Sequence, residues 1–136
     1  MNYFKDKIIV DFILLMEHLK TKIGKKRDCY ECIDFLERYK DIINENNIEL
    51  LYPTLGQKYN TNEHDLVMYK GNGVYAHIAH VYTPIIKING EIISKAMVYV
   101  VFSNEVMDAN TLERIAFNSE PVFFSHNFLH NNKRNN

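Results

Sequence analysis

The feature that most constrains this chain is a change of hydrophobic period at Pro53. Before it, apolar residues recur every three or four positions; after it, they alternate or cluster in short β-branched blocks. Helices first and strands second is the pattern of an α+β fold. In the first helix Phe4, Ile8, Phe12, Leu15, Leu19 and Ile23 share one face, and Ile9, Ile13 and Met16 widen it. Gly24 stops it, and Lys22, Lys25, Lys26 and Arg27 suit the negative end of its dipole. A second helix follows, with Asp28 as cap, Glu31 three residues on, and Cys29, Cys32, Leu36, Tyr39 and Ile43 in its stripe. The short turn predicts an antiparallel hairpin. Because Ile33, Phe35 and Ile42 flank the second stripe as Ile9, Ile13 and Met16 flank the first, the hairpin is expected to pair with a second copy as a dimeric four-helix bundle.

Beyond Pro53, strands are expected at Val74 to Val81, Ile85 to Ile88, Glu91 to Ser94 and Ala96 to Phe102. Asn89-Gly90 is a hairpin signal, since both residues tolerate the positive φ of a type I′ turn, and Pro84 belongs at a strand start or an edge. The expected product is a small antiparallel β domain. Asp108 can cap a short helix through Thr111, Leu112, Ile115 and Ala116, which Pro121 ends. The polar stretch Asn131 to Asn136 reads as disordered. The expected division is a dimerising helical hairpin at 1–51, a β domain at 52–102 and a partly disordered extension at 103–136.

Composition narrows the chemistry. At 136 residues the chain has the length of one domain. Its 16 Lys+Arg against 17 Asp+Glu create no field of one sign, which argues against duplex nucleic acid and membrane surfaces as partners. The longest apolar run, Ala96 to Phe102, is far below the ~18 residues of a membrane span. Two cysteines cannot staple a secreted scaffold, so a reducing, cytoplasmic setting is expected. Cys29-x-x-Cys32 has redox spacing, but no strand precedes it and both residues fall on the apolar stripe, where they read as small buried hydrophobes. His77 and His80 are predicted to point to opposite faces of a strand, and His126 with His130 lies in a segment of weak helical pattern. The carboxylate pairs Asp41 with Glu45 and Glu49 with Asp65 read as solvated surface. No phosphate loop, nucleophile elbow or catalytic triad pattern occurs, so neither an enzyme nor a cofactor or metal site is expected.

Two ordered segments carry a resemblance. The first is Gly56-Gln57-Lys58-Tyr59-Asn60-Thr61-Asn62-Glu63-His64-Asp65; the second, about thirty residues on, runs from Asn89-Gly90 through Ile92-Ile93 to Ala96, Val98 and Val100. Together, behind a helical hairpin, they resemble GrpE, the nucleotide exchange factor of DnaK-type heat-shock chaperones. Gly56, His64 and Asp65 match its first pattern, with Tyr59, Asn60 and Thr61 in the places of Phe, Asp and Pro. Asn89-Gly90 and the Ala-x-Val-x-Val strand keep its second, with Ser94 where Arg is usual. The resemblance spans about Ile8 to Val101.

The resemblance implies a homodimer whose β domain holds open the nucleotide cleft of a chaperone in stress response and protein folding. It implies partner contacts at Tyr59, Tyr82 and Val100, and structural roles for Gly56, His64, Asn89 and Gly90. The alternative is a degenerate member that binds without exchange activity, since Ile85-Ile86 replaces the family's Gly-Tyr pair before the hairpin.

Overall fold

Straight-chain and branched apolar residues without an internal Gly or Pro give α1, Tyr3–Ile23, with Asp6 in its first turn and Lys20 and Lys22 in its last. The computed structural model describes residues 3–23, 29–118 and 122–123. Helix α2, Tyr30–Glu45, is capped by Cys29, whose Sγ accepts the N–H of Cys32 at 3.2 Å, one residue later than the cap expected at Asp28. Asp28, the stop at Gly24 and the Lys25 to Arg27 cluster lie outside the described residues. The strands are β1 (Ile48–Leu51), β2 (His64–Gly71), β3 (Tyr75–Val81), β4 (Ile85–Ile88), β5 (Glu91–Ser94), β6 (Ala96–Ser103) and β7 (Val122–Phe123), with α3 (Ala109–Asn118) before the last.

The chain forms two units whose boundaries differ from the expected ones. The first is 1–50 with 86–94; the second is 51–85 with 95–136. The β4–β5 hairpin therefore groups with the helices, in a three-stranded sheet ordered β1-β4-β5, and residues 103–118 group with the larger sheet.

Within the first unit α2 returns alongside α1. Phe12 meets Tyr39 edge to face at 6.3 Å, and the Tyr39 hydroxyl donates to the buried Glu17 carboxylate at 3.0 Å. Lys20 completes that group, with Nζ 3.4 Å from Glu17 Oε2. The buried side of α1 is Ile13, Met16 and Glu17, while Phe4, Ile8, Phe12 and Leu15 of the expected main stripe are exposed in the single chain. On α2, Ile33, Phe35 and Ile42 are exposed as well. Asn89 (φ 53°) and Gly90 (φ 81°) turn the hairpin with both residues left-handed, and Pro84 immediately precedes β4.

The second unit holds a four-stranded sheet ordered β3-β6-β2-β7. It is mixed rather than antiparallel: β6 runs antiparallel to β3 but parallel to β2, with His64 opposite Ala96 and Gly71 opposite Phe102. The parallel pair arises because β6 returns between β2 and β3, a placement that no local turn encodes. Val98, Tyr99, Val100 and Val101 are all buried, so this central strand is covered on both faces, as its unbroken apolar run allows. Asp108 Oδ1 accepts the Thr111 N–H at 2.7 Å and starts α3, whose Leu112 packs with Ala79, Tyr99 and Val101. Hydrogen bonds from the Thr111 backbone and then its side chain hold the exposed Asp108 carboxyl below its ordinary range. Pro121, His126, His130 and Asn131 to Asn136 lie outside the described residues.

Candidate partner-binding surface

Residues 56 to 64 wrap the larger sheet. Gly56 takes φ 91° and donates its N–H to Ile78 O at 2.7 Å; Ile78 N–H returns a bond to Gln57 O at 2.8 Å, and Tyr59 N–H donates to Ala76 O at 2.9 Å. The outer edge of β3 is thereby closed by the chain itself. The turn that follows is tied to His64. The imidazole Nδ1 accepts the Asn60 N–H at 2.9 Å, the His64 N–H donates to Asn60 O at 2.8 Å, and Asn60 Oδ1 accepts the Asn62 N–H at 2.9 Å. His64 then opens β2 against β6, where Ala96 N–H donates to Glu63 O at 3.0 Å and Lys95 Nζ donates to Thr61 O at 2.8 Å. The end of the first sequence segment thus meets the Ala96 end of the second.

Of the three expected contact residues, Tyr82 alone is classed as exposed, at 41%. It follows β3 and is pinned by its N–H to Met97 O at 2.8 Å, while Thr83 Oγ1 accepts the Met97 N–H at 2.9 Å. Its ring meets His80 edge on at 4.8 Å, and its hydroxyl donates to the Met68 thioether at 3.1 Å. Partial burial, and then the neighbouring Tyr99, raise the Tyr82 phenol above its ordinary pKa. Met68 thus belongs to this patch, although nothing in its sequence neighbourhood marked it.

Tyr59 is half-buried, its ring 6.0 Å from that of His64, and burial followed by the Asp65 charge raises its phenol. Val100 is a correction to the expected surface. It is 0% exposed in the middle of β6, so a partner has no access to it, and it serves the sheet's packing instead. Asn89 and Gly90 belong to the other unit.

In the first unit, Ile8, Phe12, Ile13, Ile42, Ile48 and Ile93 line an open groove of about 760 Å³, with Lys5, Asp6 and Glu91 also along it. Most of its lining is apolar. Among the described residues no group of three or more His, Cys, Asp or Glu is arranged to hold a metal ion, and no helix is long and apolar enough to cross a membrane. Cys29 and Cys32 depart from expectation: they are half-buried and joined by a disulfide. No family model, curated protein or solved structure matches the chain.

The His64 ring carries a pH signature. Burial holds its pKa below the ordinary 6.5, opposed in part by the Glu63 carboxylate 4.0 Å from Nε2. Because Nδ1 accepts a hydrogen bond, the neutral ring bears its proton on Nε2, and protonating Nδ1 would set two donors against each other. The unfolded chain therefore takes up this proton first as pH falls, so the contribution is intact above about 6.5 and is lost below it, down to the folded value. Urea midpoints at about pH 7.5 and pH 5.5 should fall further in the wild type than in His64→Gln. Equal falls would mean that this ring does not set the dependence.

Proposed function

We propose that the chain is a GrpE-like exchange factor that binds the nucleotide-binding domain of a cytoplasmic DnaK-type chaperone and promotes ADP release. The observation that supports it most is the junction of Glu63 to Asp65 with the start of β6: Ala96 N–H donates to Glu63 O, and His64 and Asp65 lie opposite Ala96 and Met97, while Asn89 to Ile93 of the second segment fall in the other unit. That junction shares a unit with the exposed Tyr82, whose N–H donates to Met97 O.

The mechanism is that of a ligand, with no bond made or broken. A surface that binds the open nucleotide cleft better than the closed one lowers nucleotide affinity, and nucleotide lowers its affinity by the same factor. Tyr82, exposed yet braced by Met68 and His80, is the anchor such a surface needs, because a ring already held in place loses little freedom on binding. The rows of exposed apolar residues on α1 and α2 support a homodimer through the helices. A monomer in sedimentation at micromolar concentration would remove that part of the reading.

Release of a fluorescent ADP analogue from the chaperone is expected to accelerate and saturate with added protein. Tyr82→Ala should weaken the interaction about 5- to 150-fold while leaving thermal unfolding nearly unchanged. Binding without acceleration favours the alternative, a binding module that lost exchange activity, which the burial of Val100 also favours by thinning the expected contact set. Absence of binding refutes both.

A further inference from the structure

Cys29 occupies the N-cap of α2 and Cys32 its first turn, and their sulfurs are bonded to each other. Neither common structural role accounts for this pair. As a staple it joins two residues that one helical turn already brings together, so it links no distant elements of the fold. As a cap, a Ser or Asp oxygen would serve at least as well as sulfur. What sulfur adds is reversible chemistry. The Cys29 Sγ lies 3.2 Å from the Cys32 N–H, at the end of a 16-residue helix where the dipole favours negative charge. Both cysteines are half-buried rather than sealed, and Tyr30 between them is 86% exposed, so the pair is open to solvent. Glu31 in the same turn opposes an anion, but it is itself exposed and screened.

We infer that Cys29 and Cys32 form a thiol–disulfide exchange site at the start of α2, with Cys29 as the nucleophile and low-molecular-weight thiols and disulfides as its co-reactants. Starting from the reduced pair, the Cys29 thiolate attacks one sulfur of a disulfide RSSR. A Cys29–S–S–R bond forms, the S–S bond of RSSR breaks, and RS⁻ leaves. Cys32 then attacks the Cys29 sulfur, closes the bond seen here and displaces the second RS⁻. The two thiol protons pass to the two RS⁻, so the protein loses two electrons and RSSR becomes two RSH. Excess RSH drives the same steps backwards. This site is independent of the exchange-factor reading and involves no residue of the Tyr82 patch.

The test uses the full chain equilibrated in glutathione buffers that run from fully reduced to fully oxidised, with free thiols trapped by a maleimide and counted by intact mass. The expected result is reversible interconversion between a form with both thiols free and one with neither, at unchanged far-ultraviolet circular dichroism. Reduced single variants then assign the nucleophile. The Cys29→Ser variant keeps a capping oxygen, so its helix is preserved. Iodoacetamide at neutral pH should modify the thiol remaining in Cys32→Ser about tenfold faster than the one remaining in Cys29→Ser. A disulfide that opens only in denaturant, a pair that never closes, or equal alkylation rates would each overturn the assignment.

Discussion

Leu112→Ala is expected to destabilise the second unit by about 2 to 5 kcal/mol, a large part of the roughly 5 to 15 kcal/mol that holds a domain together. Leu112 is 0% exposed and packs with Ala79 of β3 and Tyr99 and Val101 of β6, with Met68, Met107, Ile115 and Ala116 around that cluster. Removing its branched side chain would open a cavity that the sheet cannot collapse to fill, because β6 is fixed on either side by β2 and β3. Glu113→Ala on the exposed side of α3 is the control: Ala is a better helix former, so that variant should stay within about 0.5 kcal/mol of the wild type. Urea unfolding compares the two. Equal midpoints would mean that α3 does not dock on this sheet.

The same helix shows how far the sequence could be read. Its cap at Asp108 and its apolar Leu112, Ile115 and Ala116 are local signals, and the helix stands where they place it. The Asn89-Gly90 turn is local too, and both residues adopt the predicted left-handed conformation. What was illegible is non-local. Strand β2 opens on His64-Asp65 after an Asn- and Thr-rich turn, and no strand was expected there because its partner, β6, arrives thirty residues later and in parallel. The two apolar sides of α1 could not be ranked either. Ile13 and Met16 are buried rather than Phe4 and Leu15, and the buried Glu17 beside Met16 bonds Tyr39, a polar contact that apolar periodicity ignores.

The candidate surface divides along the same line. Gly56 and His64 stand out in sequence only through the resemblance, and the structure gives each a local role: a positive φ, and a ring that accepts from its own loop. Val100 looks equivalent to Tyr82 in a strand pattern, yet a central strand covered on both faces offers no surface. The disulfide escaped for a different reason. Shifting the helix start by one residue moves Cys29 from the apolar stripe to the cap, and only there does its sulfur meet the Cys32 amide.

Gly71→Ala should be more damaging than Gly56→Ala in the same unit, and its cause can be separated from the conformational preference of glycine. Gly71 ends β2 at φ 84°, opposite Phe102 in the parallel pair, and a Cβ built there would run into the Phe102 carbonyl oxygen. Gly56 has nearly the same φ, 91°, but a Cβ there would meet only Leu112 Cδ1 at 4.0 Å, an ordinary contact. Both variants bear the cost of placing an L-residue in the left-handed region, about 1 to 2 kcal/mol. Gly71→Ala alone adds overpacking against backbone, about 1 to 3 kcal/mol more, since a carbonyl held in a strand ladder cannot rotate away as a side chain would. Relief requires β2 and β6 to part at their far ends, which would loosen the register that joins His64 to Ala96. The urea midpoint of Gly71→Ala should therefore lie clearly below that of Gly56→Ala, and amide exchange in β2 should quicken from Lys70 backwards. Were the two variants equally stable, the close approach of β2 to β6 at this point would be wrong, and the parallel register drawn through it would have to be redrawn.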